Sequence, residues 1–115
     1  MGNASEQLIR NFSEYLDIKE ALLDAYIETG SDHELFIASY IHGHFSVIAA
    51  NLIHAIQAPE NKSAGQAQWQ QQTQYMLSQS INSAIANNEL VGADAKDVIY
   101  MTNMLFVNDN DNDNE

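Results

Sequence analysis

Cysteine is missing from this chain of 115 residues, which removes disulfides, thiolate nucleophiles and thiolate metal ligands from consideration. Positive charge is nearly as scarce, with four Lys and Arg against sixteen Asp and Glu and a formal charge of −12. A surface of that sign repels nucleic-acid phosphates and anionic membranes, so direct binding to either is not expected. The charge is not all in one place. Asp109, Asp111, Asp113 and Glu115 belong to the terminal run "NDNDNDNE", and the chain without them still carries −8. The five glycines are dispersed, so there is neither a glycine-rich phosphate loop nor a Gly-Xaa-Ser-Xaa-Gly nucleophile elbow. No uninterrupted apolar run approaches membrane-spanning length, and "MGNASEQLIRNF" lacks the basic and apolar regions of a signal peptide. Glu6 stands where an N-myristoylation pattern wants Ser or Thr. Together these absences lead to the expectation of a cytoplasmic protein.

What is present is a set of apolar stripes with helical spacing and no strand alternation. The first helix, residues 5–29, carries Ile9, Phe12, Leu16, Leu23, Tyr26 and Ile27 at three- and four-residue steps, and Gly30 ends it. "SDHE" opens the second, with Ser31 and Glu34 in capping-box spacing, and the helix runs to about Gln57, ahead of the single proline, Pro59. A third starts near Ser63 or Ala64 and aligns Trp69, Thr73, Met76, Leu77, Ser80, Ile81, Ala84 and Ile85, with glutamines on its other face. The fourth, 94–107, aligns Val98, Met101, Thr102, Leu105 and Phe106. Short connections at Gly30, Pro59 and "NNELVGA" turn neighbours back on each other. The predicted fold is all-α: an antiparallel bundle of four helices forming one domain over residues 1–107, followed by a disordered acidic tail at 108–115. Alternating aspartates in that tail imitate the start of a calcium loop. It lacks the glycine and the closing bidentate glutamate, so a solvated tail is expected.

The stretch "SYIHGHFS" brings His42 and His44 two residues apart. In a helix at ~100° per residue their side chains diverge by ~200°, so they cannot grip one ion together. Helical zinc pairs use four-residue spacing, and the positions four away from His42, His44 and His54 offer no second histidine or acid. The same wheel puts His44 on the face of Ile37, Ile41, Ile48 and Leu52, with Tyr40 and Phe45 at its edges. His44 is therefore read as a half-buried histidine bonded to a backbone carbonyl or a tyrosine hydroxyl. Ser39, Gly43, Ser46 and Ala50 form a second stripe of small residues, which predicts close approach by another helix of the bundle at Gly43.

The segment "DHELFIASYIHGHFSVIAANL" resembles the YfcL family, through Asp32, Glu34, Leu35, Phe36, Tyr40, Gly43 and His44. Weaker similarity through "QSINSAIANNEL" and "MTNMLF" extends the resemblance over residues 8–106. His42 departs from it, standing where a basic residue such as arginine is expected. The resemblance implies a small, largely uncharacterised bacterial protein with no assigned activity to carry over.

The leading functional expectation is a non-enzymatic helical interaction module with a basic or amphipathic protein partner, a homodimer being compatible with it. The alternative is a small-molecule-binding bundle with a pocket near Tyr40 and His44, closed by Trp69 or Tyr75. A third reading, a metal-dependent or hydrolytic enzyme, needs carboxylates from other helices to converge on His44. No catalytic, cofactor-binding or metal-ligating residue is assigned and no cofactor is implied. The candidate pocket or motif residues are Asp32, Glu34, Tyr40, Gly43, His44 and Trp69.

Overall fold

The computed structural model of the chain describes residues 2–58 and 64–112. Four long helices, α1 (Gly2–Thr29), α2 (Asp32–Ile56), α3 (Gln66–Ala86) and α4 (Gly92–Leu105), run antiparallel in sequence order. A short α5 (Val107–Asn112) follows them. α2 is the hub and packs on each of the other long helices. Its buried side is a continuous apolar face of Ile37, Ala38, Ile41, Phe45, Ile48, Leu52 and Ile56. Phe12, Leu16 and Leu23 meet it from α1, Leu77 and Ile81 from α3, and Val98, Leu105 and Phe106 from the chain's last third. Burying each such side chain is worth about 1.5–3 kcal/mol, so this face and the side chains that meet it supply a large part of the force that closes the bundle.

Local chemistry sets the helix ends. Ser31 caps α2 as its sequence spacing predicts: its Oγ accepts from the Glu34 amide at 3.1 Å, and Glu34 Oε1 accepts from the Ser31 amide at 2.9 Å. Gly30 does stop α1, though by crowding. A Cβ there would lie 2.5 Å from the Tyr26 carbonyl oxygen and 2.9 Å from Glu34 Cβ, so only glycine lets α2 start this close. At the far end of α3, Asn88 takes a left-handed conformation (φ 65°), which asparagine tolerates better than most residues. That turn tucks Leu90 into the core.

Three expectations need correction. Gly43 is exposed, and among the described residues a Cβ added there would meet nothing within 4 Å, so no helix packs closely on it. Ser39, Ser46 and Ala50 are exposed with it, although Ser46 and Ala50 border a cavity whose other wall is α1. Tyr26, assigned to the apolar stripe of α1, lies at its edge and is exposed. The predicted tail is not uniform, because α5 occupies its first part and holds Asp109 against α1; residues 113–115 lie outside the described residues.

α2 is also long and apolar enough, by length and composition alone, to cross a membrane. Here its apolar side is turned to three neighbouring helices.

The contrast between two glycines is a direct test of this packing. Gly43→Ala should raise unfolding stability by about 1 kcal/mol, since alanine is the better helix former and nothing opposes its methyl. Gly30→Ala should lower it, and chemical denaturation of both variants reads the difference in sign.

Candidate functional site

Lys19 falls on the apolar stripe of α1, between Leu16 and Leu23, and is buried like them. Its ammonium donates to the Leu105 carbonyl at 2.9 Å, at the carboxyl end of α4, and to Asp109 Oδ1 at 2.8 Å. It also lies over the rings of Tyr15 and Phe106, 5.0 and 5.4 Å from their centroids. The Tyr15 hydroxyl donates to the other oxygen of Asp109. Burial, then the hydrogen bond and charge of Asp109, push the Tyr15 phenol well above its ordinary range. This node ties α1 to the end of α4 and to α5.

The node also aligns what stands outside it. Ile18, Leu22 and Tyr26 recur every fourth residue on α1, and Tyr100, Met104 and Val107 recur at four and three residues along α4 and into α5. All six are exposed, Tyr100 by 66% and Ile18 by 59%. Lys19 reaching Leu105 at one end, and Tyr26 sharing a cavity with Tyr100 and Met104 at the other, set the two rows in opposite directions. α1 and α4 make little direct backbone contact, so the rows are two uncovered apolar strips that meet at that cavity.

The cavity, of about 240 Å³, opens where α1 ends and α2 begins. Ile37 and Met101 lie at its base, Tyr26 and Tyr100 beside it, and Glu34 and Asp97 at its polar edge. The His33 imidazole is 2.7 Å from Asp97 Oδ2, linking α2 to α4 at the surface.

The histidines that stand out in the sequence are held by different partners. His42 Nε2 donates to Glu20 at 3.1 Å and lies 3.7 Å from Asp24, both on α1. Ser46 Oγ is 3.4 Å from its other nitrogen, so hydroxyl, imidazole and carboxylate stand in the order of an acyl-transfer triad. Ser46 is mid-helix, however, where the neighbouring backbone amides are engaged in the helix and cannot serve as oxyanion-hole donors. His44 hydrogen-bonds Ser80 of α3 at 2.6 Å, and its ring stacks obliquely on Tyr40 with centroids 4.8 Å apart. The Tyr40 hydroxyl donates to Glu89 at 3.2 Å, and its pKa is raised, first by burial and then by Glu89. The partner of His44 is thus a serine hydroxyl, with tyrosine in ring contact only. Among the described residues no three His, Asp or Glu side chains converge to hold a metal ion.

Trp69 lies elsewhere. It packs on Phe12 of α1 with centroids 5.9 Å apart and borders a cavity of about 480 Å³ between α2 and α3, lined also by Asn51, Gln68 and Met76. Tyr40 and His44 do not line that cavity, and Tyr75 is exposed. The structure therefore joins Tyr40 to His44 and leaves Trp69 apart from them. Asp32 and Glu34 sit at the exposed start of α2, with Glu34 serving both the capping box and the cavity beside Tyr26.

A family model described as the YfcL protein matches residues 13–106. The chain belongs to the YfcL family. No curated protein and no solved structure matches it. The YfcL match takes in Lys19 and both apolar rows as far as Phe106, but stops short of Asp109 and Val107. The motif residues Leu35, Phe36 and Gly43 are exposed on α2 in this YfcL chain, and their neighbours Ile37, Ala38, Ile41 and Phe45 reach the core.

Lys19 and Asp109 were not singled out in the sequence, although a lysine centred on an apolar stripe is a legible signal of a buried cation. Asp109→Asn should cost on the order of 3 kcal/mol, because it leaves a buried ammonium without its counter-charge. The double variant Lys19→Met, Asp109→Leu should recover most of that loss in denaturant titrations. The raised Tyr15 pKa carries its own sign: the folded state holds the phenolic proton more tightly than the unfolded state. Its contribution is intact below about pH 10, the ordinary tyrosine value, and is lost as pH rises further. The alkaline fall in melting temperature should accordingly be shallower in Tyr15→Phe.

Proposed function

We propose that this YfcL-family chain is a non-enzymatic helical interaction module whose partner is a basic amphipathic helix laid along the exposed rows of α1 and α4. The observation that carries the reading is the pair of exposed apolar rows, Ile18–Leu22–Tyr26 and Tyr100–Met104–Val107, which meet at one cavity on a chain of strongly negative charge. Large apolar side chains grouped on a face, with charge around them, are what a protein-binding surface offers to an amphipathic helix. Methionine and tyrosine suit such a face, the first by adapting its shape and the second by keeping a polar end in water.

Charge decides the partner's sign. A net charge of −12 attracts a basic helix over distance and opposes a second copy of the same chain. The pocket reading at Tyr40 and His44 has weaker support, since these side chains bond Glu89 and Ser80 and line none of the cavities described above.

The test is site-specific photo-crosslinking in the cells that make the protein, with the crosslinker at Leu22 or Tyr100 and a control at the exposed Gln71 of α3. Adducts to a basic helical segment of another protein are expected from the first two positions and not from the third. Equal labelling at all three positions, or adducts only to a second copy of the chain, would overturn the reading.

A further inference from the structure

The cavity at the end of the apolar rows has a composition that the rows do not explain. Two tyrosine rings, Tyr26 and Tyr100, stand beside it, and two carboxylates, Glu34 and Asp97, line it with His33, yet among the described residues no lysine or arginine does. Each carboxylate is only half used: Glu34 gives one oxygen to the Ser31 amide, and Asp97 gives one to His33. Their remaining oxygens have no hydrogen-bond partner among the described residues. The base is apolar, formed by Ile37 and Met101.

Each of these features matches one part of a single side chain. A guanidinium is planar and weakly hydrated, stacks on aromatic faces, and offers paired N–H donors to carboxylates. Its three-carbon stem packs on apolar surface while the head stays at the polar rim. A lysine ammonium would meet the charges but would gain less from ring faces and from two separate carboxylate acceptors.

We propose that this cavity receives an arginine side chain from the basic amphipathic helix of the partner, fixing that helix at one end while its apolar side lies along the rows. The inference rests on the docking reading above and adds to it the residue that gives the contact its register. Tyr100 and Asp97 hold the guanidinium, and Glu34 joins them from the amino end of α2. Because Glu34 also closes the capping box, the binding point is tied to the capped start of α2.

The experiment uses the full chain labelled with 15N and two kinds of probe. The first is Nα-acetyl-arginine methylamide, with the citrulline analogue as its neutral counterpart of nearly the same shape. Amide shifts are expected around Tyr26, Glu34, Asp97 and Tyr100, with about tenfold weaker binding for citrulline, in keeping with the loss of charged hydrogen bonds. Asp97→Asn and Tyr100→Ala, both at exposed positions, should weaken the arginine response while leaving the rest of the spectrum in place. Equal binding of citrulline, or arginine shifts spread over other acidic surfaces, would overturn the proposal.

The second probe is an amphipathic leucine–arginine helical peptide and its version with every arginine replaced by citrulline. Perturbation of Ile18 and Leu22 that persists in the citrulline peptide and in Asp97→Asn would keep the docking face and remove the arginine site. Arginine-dependent shifts at the cavity with none along the rows would keep the site and remove the docking face.

Discussion

The Lys19 ammonium lies where water does not reach it, and taking such a charge out of solvent costs several kcal/mol unless its protons find acceptors. It finds a carbonyl at the end of α4 and a carboxylate on α5, with two aromatic faces around it. A cation at a helix carboxyl end also meets the negative end of that helix's dipole, so the site suits the charge twice over. The constraint works outward from there. α4 can shift along α1 only by breaking these bonds, and the relative placement of everything the two helices display follows from that.

What they display is apolar, on a chain whose net charge is strongly negative. The bundle keeps its aliphatic core on α2 and still leaves two rows of large apolar side chains uncovered on α1 and α4. Long-range charge and short-range apolar burial do different jobs in association: the first raises the encounter rate and selects the sign of the partner, the second slows dissociation. Both are present on one small domain.

The helices were legible because each has a stripe of matched spacing, and the start of α2 was legible because Ser31 and Glu34 stand three apart. Gly43 shows where such reading stops. A helical wheel says which residues share a face, but not whether another element covers it, and Gly43 is exposed. Tyr26 was misassigned for a related reason, since residues at the margin of a stripe go to core or surface according to the neighbour. The bond between Tyr40 and Glu89, and that between His44 and Ser80, depend on the register of α2 against α3, which no single helix encodes. Asp109 was hidden by its surroundings. In a run of alternating Asn and Asp nothing marks one aspartate as different, and only the position of Lys19 in space does so.

The distance along the chain between Lys19 and its counter-charge has a consequence for how the protein is made. The two are 90 residues apart, one in the first helix and the other in the last. A ribosome releases α1 long before residue 109 has been joined to the chain, so throughout synthesis Lys19 has nothing to bury itself with. The first three helices can gather around their aliphatic faces in that interval, but the site around Lys19 has to stay wet until Leu105 and Asp109 have emerged. Burial of this one charge is thereby a late step on the growing chain, set by the order of its helices.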